Sequence, residues 1–140
     1  MSASRLRHAV WLRALSIVAV GFGLLTLREG GMTLGGDEDA VKAAGNYVPF
    51  VLWFNFLAGF AYVVAGIALW LGRRWAARLA IGIAVATAIA FAAFGLHVYF
   101  GGAFEMRTVV AMSLRTAVWA AIATASWRLL SGRNGPAEAR

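Results

Sequence analysis

Two stretches of the chain, residues 43–72 and 79–104, contain no charged side chain. Each is longer than the roughly 20 residues an α-helix needs to cross the hydrocarbon core of a bilayer. In a soluble domain such stretches would have to be buried on every side, and a chain of 140 residues has too much surface for that. Composition agrees: 61% of residues are hydrophobic and 14% charged, against soluble averages of roughly 45–50% and about 25%. A water-soluble globule is excluded. Inside a bilayer the backbone must satisfy its own hydrogen bonds, so the expected class is all-α.

The remaining apolar blocks add two more spans. Helices are expected at about 10–27, 47–71, 79–100 and 106–127, the first carrying Arg13 near its start and the last enclosing Arg115. The first span, with Arg5 and Arg7 ahead of it and Ala19 and Gly21 at small-x-small spacing, has some features of a cleaved leader. Arg13 interrupts its apolar run, however, and residues 22–27 continue that run, so a retained anchor is expected. The glycine-rich stretch 30–36 (GGMTLGG) and the pair Gly101 and Gly102 read as loops, and the turn through Gly72 as a tight hairpin. Short connections make neighbours antiparallel, giving one membrane domain over residues 1–140, an up-down-up-down four-helix bundle.

The basic residues set the orientation. Nine of the thirteen lie on one side: Arg5, Arg7, Arg13, Arg73, Arg74, Arg78, Arg128, Arg133 and Arg140. Only Arg28, Lys42 and Arg107 lie on the other, with Arg115 inside a span. The positive-inside rule then places both termini in the cytoplasm of a bacterial-type inner membrane. Glu29 and the solvated acidic run Asp37, Glu38 and Asp39 fall outside. Trp75 and Trp127 at one end, and Tyr47 and Tyr99 at the other, suit interfacial anchoring. This bias accounts for the net charge of +7 without a nucleic-acid partner. The partner that composition demands is lipid; a membrane-complex subunit or a second copy of the chain would be a further one.

Little in the chain suggests catalysis. The absence of cysteine removes disulfides, thiolate metal sites and dithiol redox chemistry. His8 and His97 belong to opposite membrane faces and cannot share a haem. No phosphate loop or dinucleotide fingerprint occurs, and no carboxylate pair lies within the spans. No catalytic residue, cofactor or metal is expected, and a non-catalytic role is favoured over an enzymatic one.

Intramembrane polar groups are the better pointers. Arg115 lies eight residues beyond Arg107, or about 12 Å of helical rise, at an insertion cost of about 2.5–3.5 kcal/mol. Asn55, eight residues beyond Tyr47, reaches the same depth. Arg115 is then either a structural arginine bonded to carbonyls, hydroxyls or Asn55, or the anchor of a site for a quinone, lipid or small organic anion. Asn55, Gly59, Tyr62 and Gly66 share one helix face, and Thr108, Ala111, Arg115, Trp119 and Ile122 share another. The alanine-rich third span is expected to pack centrally. Near the outer boundary His97, Tyr99, Glu105 and Arg107 form either an acid/base cluster or a tie, through His97 and Glu105, that holds the turn. The candidate ligand or partner site is thus Asn55, Tyr62, His97, Glu105, Arg107 and Arg115, between the second, third and fourth spans.

Small four-helix families can be tested on their defining residues. Vitamin K epoxide reductases need paired cysteines, small multidrug exporters a carboxylate in the first helix, and small fluoride channels balanced basic residues; this chain has none of these. Between Arg13 and Arg74 it resembles the DoxX-like family. Arg13, Gly21, Gly23 and the pair Gly30 and Gly31 match that family's first helix and its glycine-rich exit. Asn55, Gly59, Gly66 and Arg73 match the second, with Asn55 standing where the family carries a carboxylate. The resemblance implies an accessory subunit or membrane anchor, since DoxX-like proteins are membrane partners of quinone-linked sulfur oxidation or of oxidative-stress complexes.

The charge bias generates a topological prediction. A reporter active only outside the cytoplasm should be silent when fused after Arg140 and active when inserted at Gly36. The reverse pattern would overturn the assigned orientation.

Overall fold

In the computed structural model of the protein, residues 2–132 are described; Met1 and residues 133–140, including Arg133 and Arg140, lie outside them. The elements are α1 (Ala3–Leu34), α2 (Glu38–Ala44), α3 (Pro49–Trp70), α4 (Trp75–Tyr99) and α5 (Met106–Ser131). Four of them, α1, α3, α4 and α5, are long and apolar enough to span a membrane. The protein is an all-α, multi-pass helical bundle.

Helix α1 is longer than hydropathy suggests. It continues through Gly30 and Gly31 to Leu34, so five of the seven residues of the expected 30–36 loop are helical. Packing overrides the low helix propensity of glycine here. A Cβ at Gly30 would lie 3.2 Å from the Cβ of Phe56, so α3 rests directly on this turn. Helix α2 was not anticipated. Asp37 caps it, accepting a hydrogen bond from the Ala40 N–H at 2.9 Å. Glu38 and Asp39 occupy its first turn and Lys42 its last, the arrangement that favours the helix dipole. The acidic run is therefore exposed, as read, but it also starts a helix.

The tightest seam joins α1 and α3. Buried residues on α1 are Leu12, Ser16, Ala19, Gly23, Thr26 and Gly30. Their alternating steps of four and three residues are the spacing of left-handed helix packing. Opposite them α3 buries Gly59, Tyr62 and Gly66. A Cβ at Gly23 would lie 3.0 Å from the Gly59 carbonyl oxygen, and one at Gly66 would lie 3.0 Å from the Val20 nitrogen. The two backbones touch. The Ser16 hydroxyl donates to the Gly66 carbonyl at 2.6 Å across this seam. Close backbone approach and an interhelical hydrogen bond replace the hydrophobic drive that lipid cannot supply.

Helix α3 also packs on α4, α4 on α5, and α5 more lightly on α1. The alanine-rich helix is therefore not central. Ala76, Ala77, Ala80 and Ala90 are buried in α4, while Ala86, Ala88, Ala92 and Ala93 are exposed. Glycine, with no Cβ, takes the closest contact at the α1–α3 seam, leaving part of the alanine surface to face lipid. Ile17, Leu24, Leu57, Phe60, Ile89 and Leu114 are exposed on the bundle's flanks, as lipid-facing residues should be. The Arg13 guanidinium lies over the Trp70 ring, 5.3 Å from its centroid, giving the early charge of α1 an interfacial partner.

Gly66→Val should destabilise the protein by about 1–3 kcal/mol through overpacking. Gly82→Val, where a Cβ meets nothing within 4 Å, should be close to neutral. Thermal unfolding in mild detergent compares the two; equal losses would disprove the close seam.

Candidate functional site

Beyond the glycine seam the helices part and leave a cavity of about 330 Å³. Its walls come from α1, α3 and α5, and residues of α2 and the segment after it close over one side. Along each wall helix the deepest lining residue is polar: Thr26 on α1, Asn55 on α3 and Arg115 on α5. These three make the floor. Arg107 and Thr108 line it nearer the mouth, with Glu29 one turn above Thr26. Between floor and mouth the lining is mainly apolar, with Val48, Val51, Leu52 and Ala111. No α4 residue lines it, so the cavity lies between the first, second and fourth spans rather than the last three.

Arg115 is half-buried. Its Nη2 donates to the Thr26 hydroxyl at 3.5 Å, the long limit of such a bond. Its guanidinium carbon lies 5.8 Å from the centre of the Phe22 ring. Its Nε is buried with no hydrogen-bond partner, and so is Oδ1 of Asn55. The direct Asn55–Arg115 hydrogen bond that equal depth would allow is not formed; the two residues instead share the cavity.

Helix α2 is held in place by the start of α5. Arg107 Nη1 donates to the Ala43 carbonyl at 2.7 Å, placing a cation at the C-terminal end of α2, where the dipole favours one. Glu105, just ahead of α5, accepts from the Asn46 N–H at 2.9 Å. Between these bonds Gly45 has φ of +60°, and a Cβ there would lie 2.6 Å from Glu105 Oε1. Only glycine suits this corner.

His97 ties a different turn. Its Nε2 lies 3.1 Å from the Ala103 carbonyl oxygen; that oxygen has no proton to give, so Nε2–H donates. Phe50 meets the imidazole edge-on at 6.3 Å. The expected His97–Glu105 pairing is thus replaced by two separate bonds to backbone groups. Both tie loops down, as the structural reading of the cluster required, but with other partners.

Tyr62 belongs to neither group. It is fully buried below the cavity, its ring tilted against Trp119 at 4.6 Å and 6.0 Å from Phe22. Tyr62 Oη, Thr87 Oγ1 and Trp119 Nε1 are buried without hydrogen-bond partners. The six candidates therefore divide: Asn55, Arg107 and Arg115 line the cavity, His97 and Glu105 hold loops, and Tyr62 is core. Two lining residues were not among the candidates: Glu29, because the expected first helix ends at residue 27, and Thr26, because a lone hydroxyl inside that helix carries no charge to mark it. The spacing of Ala19, Gly23, Thr26 and Gly30 carried the missing signal.

Among the described residues no three His, Cys, Asp or Glu side chains are grouped to hold a metal ion. In comparisons with family models, curated proteins and solved structures, none matches the chain.

Arg107→Ala and Glu105→Ala should each release one of the two bonds securing α2. Amide hydrogen exchange should accelerate across residues 38–46 and stay unchanged in α4. Unaltered protection of residues 38–46 would show that these bonds do not hold the helix.

Proposed function

We propose that this is a non-catalytic membrane protein that holds a small ligand in the α2-covered cavity, serving as an accessory subunit or anchor of a membrane complex of the DoxX-like kind. The observation that carries this reading is the cavity floor. Three helices each place one polar side chain there, and two of the three keep an atom without a hydrogen-bond partner. Buried polar atoms in native proteins are nearly always paired, and an intramembrane arginine is costly enough to mark a functional site. A bound anion would answer the Arg115 donors; the Asn55 oxygen, which only accepts, calls for a water or another donor beside it. The lining gives no nucleophile–base pair: its polar groups are two arginines, one glutamate, an amide and hydroxyls. This favours holding a ligand over transforming one. With the charge bias of the loops, the α2 end faces away from the cytoplasm and the cavity opens towards that side.

If Arg115 serves a ligand, its charge is uncompensated in the empty protein, and Arg115→Leu should leave stability unchanged or raise it. Native mass spectrometry of wild-type protein from mild detergent should retain a small molecule that the variant lacks. Large stability losses in both Arg115→Leu and Asn55→Leu, with strong coupling in the double mutant, would make the residues structural and overturn the reading. A co-purifying membrane protein would support the accessory role.

A further inference from the structure

The cavity lining contains three charged side chains, Glu29, Arg107 and Arg115. Two arginines against one glutamate leave one positive charge unbalanced. Glu29 and Arg107 are exposed at the mouth, where water screens them, so the charge met at the floor is that of Arg115, and one negative charge on a ligand matches it. A neutral quinone would leave the unbalanced charge in place.

Shape narrows the ligand further. A guanidinium offers paired N–H donors in one plane, matched to two oxygens of a carboxylate or a phosphate and not to the single oxygen of a quinone carbonyl. On Arg115 the one hydrogen bond is the long one from Nη2 to Thr26, and Nη1 donates to no described residue, so the two terminal nitrogens are the donors a ligand can engage. Asn55, at the same level, carries an amide whose NH2 group can donate to the same anion. Above the floor Val48, Val51, Leu52 and Ala111 supply an apolar wall. The volume, about 330 Å³, sits at the low end of the roughly 300–1,000 Å³ typical of small-molecule sites, too small for a two-chain lipid.

We infer that the ligand is a small monocarboxylate with an apolar body, its carboxylate on Arg115 at the floor and its body along Val48, Val51 and Leu52. This rests on the binding role proposed above and specifies its chemistry.

Three probes with short alkyl chains test it at neutral pH on the full chain, washed free of retained small molecules in mild detergent. They are hexanoate, hexanamide and hexyl phosphate. Titration calorimetry and thermal shift should show saturable binding of hexanoate, with hexanamide and hexyl phosphate weaker by about tenfold or more, the worth of a charge-assisted hydrogen bond. Arg115→Lys keeps the charge but loses the paired donors, and should weaken hexanoate about tenfold while the protein stays folded. Equal binding of hexanoate and hexanamide, or preference for hexyl phosphate, would overturn the carboxylate assignment and leave the cavity as a binding site. Failure of hexanoate to bind would also overturn it. If native mass spectrometry then shows no retained molecule in unwashed protein, the binding role falls with it; a retained molecule would preserve that role.

Discussion

The contact between the backbones of α1 and α3 is the constraint on which the rest of the bundle depends. Lipid tails are as apolar as leucine, so helices in a bilayer gain little from merely hiding apolar side chains from one another. They associate where close approach multiplies dispersion contacts and lets polar groups meet. Gly23, Gly59 and Gly66 allow that approach, and Ser16 bonds across it to the Gly66 carbonyl. The seam fixes the rotation of α1. The stripe that buries Ser16, Ala19 and Gly23 continues to Thr26 and Gly30, and both of these reach the cavity.

The cavity begins where this mode of packing ends. On α3 the shared face passes from Gly66, Tyr62 and Gly59, all buried, to half-buried Asn55. On α5 it passes from buried Ile122 and Trp119 to half-buried Arg115, Ala111 and Thr108. Each stripe is thus core for half its length and cavity wall for the other half. Deeper along the same faces the fully buried rings of Tyr62 and Trp119 lie against each other, 4.6 Å between centroids. Core and site are parts of the same helix faces, and depth in the bundle decides which role a residue takes.

That division explains what could be read in advance. Hydropathy located the four spans because a bilayer imposes length and apolarity on each of them. Asn55, Arg107 and Arg115 stood out because polar groups are conspicuous against that background. Helical spacing put Tyr62 on the same face as Asn55 and two turns deeper, but spacing does not tell which depths of a face are packed and which are open, and Tyr62 is fully buried. The end of α1 was hidden because Gly30 and Gly31 look like a loop until Phe56 is known to rest against them. Helix α2 had its own local signal, Asp37 followed by Glu38 and Asp39, but an acidic run reads equally as solvated chain. The partners of His97 and Glu105 were not legible, since both bond to backbone groups that are identical at every position.

The two arginines of α5 show why position outweighs residue type. Arg107 is committed to protein: its Nη1–H meets the Ala43 carbonyl at the end of α2, where the helix dipole also favours a cation. Arg115, two turns deeper, meets only a distant hydroxyl and the face of Phe22. The first has a structural reason for its charge; the second has none supplied by the surrounding helices. A ligand engaging Arg115 therefore leaves the bond that secures α2 intact. Arg107 still has N–H donors besides the Nη1–H on Ala43, so its part in the cover does not depend on what meets Arg115.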